Sequence, residues 1–288
     1  VSPGEPTSGR IVCVAEADLR FRDQTIRWFL SLTQLAKVPV ERLSLVFAGV
    51  GEPPAWAMPF RRAGLDLGTV SRFDGRSPHC NKIEALTYAA KLTAGPVVVT
   101  DCDMAFLEDP LGFPQAAAAV SAKPVDRSNP PLRILDTLLR EAGLPKPRTT
   151  RIAAKPWQRT YRGNCNGGLA IVGPGVSGQL AERWAFRARW LLDRRKILEG
   201  WAVHVDQVAM FLAIVDLDLE IVPLGTRHNF PMHRRPPVFP VDPAALHYHD
   251  RVDGQGSLLP VGRGAIDRRI DQVNRIHLAE RSQLEVPA

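Results

Sequence analysis

The sequence predicts an α/β fold. Its first half is a Rossmann-like, mostly parallel sheet with helices on both faces, and this continues into a mixed second half. Three observations predict it. Within the first hundred residues, short uninterrupted apolar runs alternate with stretches of helical period. Strands that read as continuous apolar runs are buried on both faces, as in parallel sheets covered by helices. Beyond residue 103 the alternation loosens, and Pro- and Arg-rich segments separate the apolar runs.

The elements follow in order. Residues 1–9 read as a flexible lead. Ile11-Val12-Cys13-Val14-Ala15 is a buried strand. Ile26, Phe29, Leu30 and Leu35 recur at helical spacing and predict a helix over 23–36. Residues 43–48 form a second strand, ended by Gly49, Gly51 and two prolines, and 67–73 a short third. Ile83, Leu86, Tyr88, Ala89 and Leu92 give the helix 81–92 its apolar side, and Gly95-Pro96 ends it. Val97-Val98-Val99-Thr100 is a strand running into Asp101. A strand over 116–121 and a helix over 130–142, stopped by Gly143, come next. Residues 144–163 show no period and predict a long functional loop. A strand over 168–172, a long helix over 176–198, a helix over 204–215 and a strand over 219–222 follow. A basic, Pro-rich excursion over 227–241, a last strand over 244–249 and a closing helix over 266–280 complete the chain.

Composition bounds the function. At 288 residues with 45% hydrophobic and 23% charged side chains, the chain is an ordinary globular one, neither disordered nor collagenous. No internal repeat or clear linker divides it, so a single domain is expected. A net charge of +7 suits an anionic partner such as a nucleotide or phosphorylated substrate, a nucleic acid or an acidic membrane surface. The most apolar long stretch, 200–219, is interrupted by His204, Asp206, Gln207, Asp216 and Asp218, so no membrane span is predicted. Val1 to Pro6 lacks the basic start and apolar core of a signal peptide. The four cysteines form no Cys-X-X-Cys pair, which predicts a reduced, cytoplasmic protein without a cysteine zinc site.

The strongest local signal is Asp101-Cys102-Asp103 directly after an apolar strand. In open α/β sheets ligands bind beyond the carboxyl ends of the strands. Two carboxylates one residue apart there can both reach a hard divalent cation, Mn²⁺ or Mg²⁺, whose other ligands are phosphate oxygens. The plain alternative is a solvated strand end. Asn81-Lys82 opens a helix, where Asn81 reads as a cap and Lys82 adds positive charge for an anion. In Gly163-Asn164-Cys165-Asn166-Gly167-Gly168, two glycines before a strand admit close backbone approach, and the asparagines suit hydroxyl groups. Asp206-Gln207 opens an amphipathic helix, with Asp206 either a first-turn acid or a carboxylate that orients a sugar hydroxyl. In a strand, His247 and His249 point to one face, and either imidazole can complete a metal site begun by Asp101 and Asp103.

Taken in order, these motifs resemble those of GT-A nucleotide-sugar glycosyltransferases, closest in layout to the glycogenin-like and lipopolysaccharide galactosyltransferase-like group. The resemblance spans roughly residues 10–255. It implies a GT-A fold with a nucleotide-sugar-binding half over about 10–105, an acceptor-binding half over about 106–255 and a C-terminal helix over 256–288. It implies metal ligands among Asp101, Asp103, His247 and His249. Nucleotide-sugar contacts are implied at Ala15, Glu16, Asn81, Lys82, Asp101, Cys102, Gly167 and Gly168. Asp206, Asn166 and Gln207 are implied at the reacting sugar and acceptor. The implied activity is Mn²⁺- or Mg²⁺-dependent transfer of a hexose from a nucleoside-diphosphate sugar, UDP-sugar ranked first, to an unidentified acceptor, with retention. The group's late motif continues His-aromatic-X-Gly and then Lys-Pro-Trp. His247-Tyr248-His249-Asp250 lacks both the Gly and the Lys-Pro-Trp, leaving Lys82, Arg227, Arg234, Arg235 and Arg251 as candidates for the leaving diphosphate's counter-charge.

Three other functions are weighed. A haloacid-dehalogenase-type phosphatase also ends a strand in Asp-X-Asp, with Asp216 and Asp218 as its later acids. However, Met104-Ala105 follows here, and the motif lies far from the chain start. A sugar-phosphate nucleotidyltransferase needs a Gly-rich loop after the first strand, and residues 16–20 hold no glycine. A non-enzymatic module is the third possibility. Arg183, Arg187, Arg189, Arg194, Arg195 and Lys196 interleave with Trp184, Phe186 and Trp190, a pattern that suits nucleic acid or peripheral contact with an anionic membrane. Aromatics in the core with solvated arginines is the ordinary reading of the same pattern, and no nucleic-acid partner is expected.

Overall fold

The apolar runs of the sequence become the strands of one central sheet. The computed structural model describes residues 9–152, 155–234 and 239–284. In chain order the elements are β1 (Arg10–Ala15), α1 (Arg20–Leu30), β2 (Leu43–Ala48), α2 (Met58–Arg62), β3 (Asp66–Val70), α3 (Asn81–Ala90) and β4 (Val97–Thr100). There follow β5 (Met104–Phe106), β6 (Ala119–Pro124), α4 (Leu132–Glu141), β7 (Thr149–Ile152), β8 (Lys155–Tyr161) and β9 (Cys165–Val172). The last are α5 (Ser177–Asp193), α6 (Val205–Asp216), β10 (Glu220–Pro223), β11 (Phe230–Pro231), β12 (Ala245–His247) and α7 (Gly264–Leu284).

Among the described residues the main sheet has seven strands in the order β10-β6-β9-β4-β1-β2-β3. The β3-β2-β1-β4 half is parallel. Strand β9 runs antiparallel between β4 and β6, which makes the second half mixed, as the sequence predicts. Both faces are covered. Val12, Val97, Val99, Ala170 and Val172 face a core with α3, α4, α5 and α6. Ile11, Cys13, Val98, Leu169 and Ile171, the alternate positions of the same strands, face a second core with α1 and α2.

This order places the site. The chain adds β2 and β3 on one side of β1, then crosses back and lays β4 on the other side. The crevice beyond the carboxyl ends of β1 and β4 is therefore the topological switch point, where open α/β sheets bind ligands.

Several expectations are corrected. Residues 144–163 are not a featureless loop, because β7 and β8 pair as a hairpin apart from the main sheet. The hairpin's apolar side chains are few, with Ile152 and Tyr161 buried and Trp157 exposed, so it lacks the period-2 signal. The strand expected over 168–172 starts at Cys165, so Gly167 and Gly168 lie within β9. The long helix stops at Asp193, and a 3-10 segment over Arg195–His204 with Glu199 at φ 51° replaces its last turn. The strand expected over 244–249 ends at His247, since His249 adopts φ 51°. Strand β5, directly after the Asp-X-Asp motif, went unread because three residues show no period. The lead, residues 1–8, and Arg235 lie outside the described residues.

The basic helix α5 is partly neutralised within the fold. Arg187 is buried and, with Arg183, pairs with Asp216 of α6 at 2.6 and 3.1 Å. Trp184 is buried and donates to the Asp206 carbonyl, whereas Phe186 is 52% exposed. Asp216 is thus tied to α5 at the opposite end of α6 from Asp206, away from Asp101-Cys102-Asp103.

Candidate active site

A cavity of about 700 Å³ occupies the switch point, with Ala15 and Glu16 from the end of β1 and Asp101, Cys102 and Asp103 from the end of β4 on its wall. Every metal, nucleotide-sugar and reacting-sugar residue that the resemblance implies lies on this cavity: Asn81, Lys82, Asn166, Gly167, Gly168, Asp206, Gln207, His247 and His249 also line it, whereas Asn164, Arg227 and Arg251 do not.

Two groups share the floor. In the first, Asp103, His247 and His249 offer ligand atoms that all lie within 4.8 Å of one another. Backbone pairing sets this up. Strand β12 runs antiparallel to β5 with His247 opposite Met104, and Tyr248 donates its N–H to the Asp103 carbonyl at 3.0 Å. His247 Nε2 stands 3.3 Å and His249 Nδ1 3.1 Å from the Asp103 carboxylate. Burial works against charge at Asp103, yet the two imidazoles hold its carboxyl well below the usual carboxylate range. Burial likewise opposes protonation of His247, and Asp103 outweighs it and raises that imidazole. His249 reaches Asp103 although it has left the strand. Its left-handed backbone folds the ring back until its centroid lies 3.9 Å from that of His247.

The second group centres on Lys82, whose side chain is only 6% exposed. Its ammonium lies 2.7 Å from Asp101, 3.1 Å from Asp206 and 3.0 Å from the Gly167 carbonyl. Burial pulls its basicity down, and the two carboxylates more than restore it, so it stays charged. Lys82 therefore anchors Asp101 and Asp206 rather than standing as a free charge at a helix start.

Other expected roles change too. Asn81 does not cap α3, because Cys80 holds that position and the Asn81 Oδ1 accepts from Phe73 N–H at 3.0 Å. Asp206 does lie in the first turn of α6, as expected, with its carboxylate turned to Lys82. The glycines make room for side chains of the site itself. A Cβ on Gly168 would stand 2.4 Å from the His247 ring, and one on Gly167 would stand 3.1 Å from Asp206 Oδ2. Asn166 does not point to solvent: its Oδ1 accepts from Gly168 N–H at 2.9 Å and from Asn229 Nδ2 at 3.1 Å. Gln207 donates to the Asn129 carbonyl at 3.2 Å. Cys102 places its sulfur 2.9 Å from that of Cys13, behind the motif.

Sequence reading missed Asn229, which is fully buried. Lys123 Nζ holds its carbonyl at 2.7 Å, and its Oδ1 faces His247 Nδ1 at 3.2 Å. An isolated Asn between two short strands carries no signal. Asp126, Asn129, His204 and His233 also line the cavity unannounced. Of the candidate counter-charges, Arg234 lines it too, and among the described residues its side chain forms no ion pair. Arg227 is committed to Glu108, and Lys82 to its two carboxylates.

The donor set suits a divalent cation. His247 Nε2 is buried with no hydrogen bond, and it faces a carboxylate. Its Nδ1 is engaged by an amide oxygen, the outer-sphere arrangement that fixes a ligating histidine's tautomer.

No family model matches the chain, and no curated protein matches it in sequence. Solved structures match it in fold. The galactosyltransferase LgtC in complex with donor and acceptor sugar analogs aligns with a TM-score of 0.54 at 13% identity, over 95% of this chain and 99% of that one. An active-site mutant of LgtC gives 0.57 at 13% identity, with the same coverage. The glycosyltransferase GlyE of Streptococcus pneumoniae TIGR4 gives 0.53 at 12%, covering 97% of this chain and 66% of that one. At these identities the likeness is one of architecture, and the chain has the GT-A fold of these glycosyltransferases.

Proposed function

We propose that the chain is a metal-dependent glycosyltransferase that moves a sugar from a nucleoside-diphosphate sugar, UDP-sugar first, to a hydroxyl acceptor with retention. The observation that carries this reading is the meeting of Asp103, His247 and His249 beside the Lys82-Asp101-Asp206 group at the switch point of a GT-A fold. The donor is assigned to the half over 10–105 and the acceptor to that over 106–255.

Asp103 and the two histidines would hold Mn²⁺ or Mg²⁺, which when bound supplies positive charge to the departing diphosphate. Arg234 adds a fixed cation on the same wall. In this reading Ala15 and Glu16 would border the base, and Asp101, held by Lys82, would bind the ribose. Asp206 and Gln207 face the transferring sugar. Asp206 is salt-linked to Lys82 and Gln207 is neutral, and the proton transfer is assigned to the donor's own phosphate. The sugar's bond to the phosphate oxygen breaks, the acceptor oxygen bonds to the same carbon, and the acceptor's proton passes to the departing phosphate oxygen. Delivery on the face that the leaving group vacates retains configuration.

The test is nucleoside-diphosphate release from a panel of nucleotide sugars with Mn²⁺, followed by NMR of the product's anomeric carbon. A retained linkage, lost in Asp206→Ala, supports the reading. An inverted product moves the proton transfer to His204, whose basicity is lowered by burial and which lines the same cavity. Failure to turn over any donor in the panel counts against the activity.

A further inference from the structure

The Asp-X-Asp motif presents its two carboxylates differently. Asp101 is 2.7 Å from the buried Lys82 ammonium, and it is absent from the group of converging ligand atoms. The donors that do converge are one carboxylate and two imidazoles. His249 sits one residue past Tyr248 in a left-handed backbone, an uncommon conformation for a residue with a Cβ though one that histidine tolerates better than most. What that conformation achieves is contact, since it brings His249 Nδ1 within 3.1 Å of Asp103. His247 is fixed from behind. Asn166 Oδ1 takes the Asn229 amide hydrogens, which turns the Asn229 oxygen toward His247 Nδ1. With the proton held on Nδ1, the Nε2 lone pair is aimed at the Asp103 side.

We infer that in this chain His249 takes the metal-ligand place that Asp101 would fill in a two-carboxylate site, and that the nitrogen-rich set selects a transition-metal ion against Mg²⁺. This deepens the proposed function and rests on its metal reading. The chemistry is that of donor type. Mg²⁺ demands oxygen ligands and parts reluctantly with water, whereas imidazole affinity rises along the first transition row from Mn²⁺ through Co²⁺. Asp101, its charge compensated by Lys82, is left to bind a donor hydroxyl.

The test uses the whole chain and metal alone, by calorimetry with Mn²⁺, Co²⁺ and Mg²⁺ and by the visible absorption of bound Co²⁺. The wild type is expected to bind Mn²⁺ and Co²⁺ at one site, with Mg²⁺ at least about 100-fold weaker. His249→Ala is expected to lose about tenfold or more in Mn²⁺ affinity and to change the Co²⁺ spectrum, with Asp101→Asn staying within about threefold of wild type. His249 is 39% exposed on its side chain, so its truncation leaves the core intact. The wild-type Mn²⁺/Mg²⁺ ratio needs no variant at all. Equal Mg²⁺ and Mn²⁺ affinity, unchanged binding in His249→Ala, or a larger loss in Asp101→Asn overturns the inference and leaves the metal reading standing. Absence of any Mn²⁺ or Co²⁺ binding, repeated with UDP present, overturns the metal reading itself.

Discussion

Replacing Gly168 with alanine perturbs the site through one methyl group. The residue is at negative φ within β9, so alanine fits the backbone, and the cost comes from what the methyl meets. Its Cβ would lie 2.4 Å from His247 Cε1, 2.6 Å from His247 Nδ1 and 3.2 Å from Asn166 Oδ1. Carbon atoms rest at about 3.5–4.0 Å, so the ring must retreat by about 1 Å. His247 is 3% exposed and held at Nδ1 by Asn229, so it has no free direction in which to swing. Overpacking of this kind costs about 1–3 kcal/mol of stability. Metal sites tolerate errors of only about 0.2 Å in ligand distance. Gly168→Ala should therefore lose about 10- to 100-fold in Mn²⁺ affinity, or about 1.4–2.7 kcal/mol, while remaining folded. Gly51→Ala is the control, because its Cβ would meet nothing within 4 Å. Calorimetric titration reads the affinity and circular dichroism the fold. A folded Gly168→Ala protein with wild-type Mn²⁺ affinity would refute the assignment of His247 as a ligand.

Three further outcomes are expected. Lys82→Met leaves Asp101 and Asp206 facing each other without their shared cation, and breaking such a buried pair costs about 3–5 kcal/mol, measurable by urea unfolding; an unchanged midpoint would contradict it. Arg234→Ala should weaken UDP binding in the presence of Mn²⁺ by about tenfold, and Arg227→Ala, whose side chain is paired with Glu108, by less than about twofold; equal effects would remove Arg234 from the diphosphate. Burial pushes His277 down to about 4, with Arg27 and Arg281 adding to the shift, against 6.5 ordinarily. Between those values the unfolded chain holds a proton that the folded chain does not. This contribution to stability is complete above pH 6.5 and lost as pH falls toward 4. Urea midpoints that are equally pH-dependent in His277→Gln would show that another group is responsible.

Much of the fold was legible because the first half is simple. A run such as Val97 to Thr100 is buried on both faces, and its neighbours are helices of clear period. The site was legible wherever a motif adjoined such a strand: Asp101 and Asp103 follow directly on the end of β4, as their sequence context requires, and Gly167 and Gly168 lie within β9 beside it. What the sequence hid are side-chain directions set by tertiary contacts. Asn81 looks like a cap but binds Phe73, and nothing in the sequence shows that Asp206 pairs with Lys82 or that Asn166 accepts from Asn229. His247 and His249 do share a site, though not because a strand alternates; β12 stops between them and a left-handed residue restores the contact. The β7–β8 hairpin was invisible because it pairs apart from the main sheet and its few apolar residues follow no alternation: Ile152 and Tyr161 are buried, whereas Trp157 is 77% exposed.

The most direct test of a cation-held diphosphate is a thermal-unfolding series with UDP, Mn²⁺ and both together, on the wild type and on Asp103→Asn. Ligand at about 100 times its Kd stabilises the native state by about 2.7 kcal/mol, a shift of several degrees. UDP should add that shift to the wild type only when the cation is also present, over and above any shift from Mn²⁺ alone, and Asp103→Asn should not gain it. A UDP shift that needs no cation and survives Asp103→Asn would contradict the central claim.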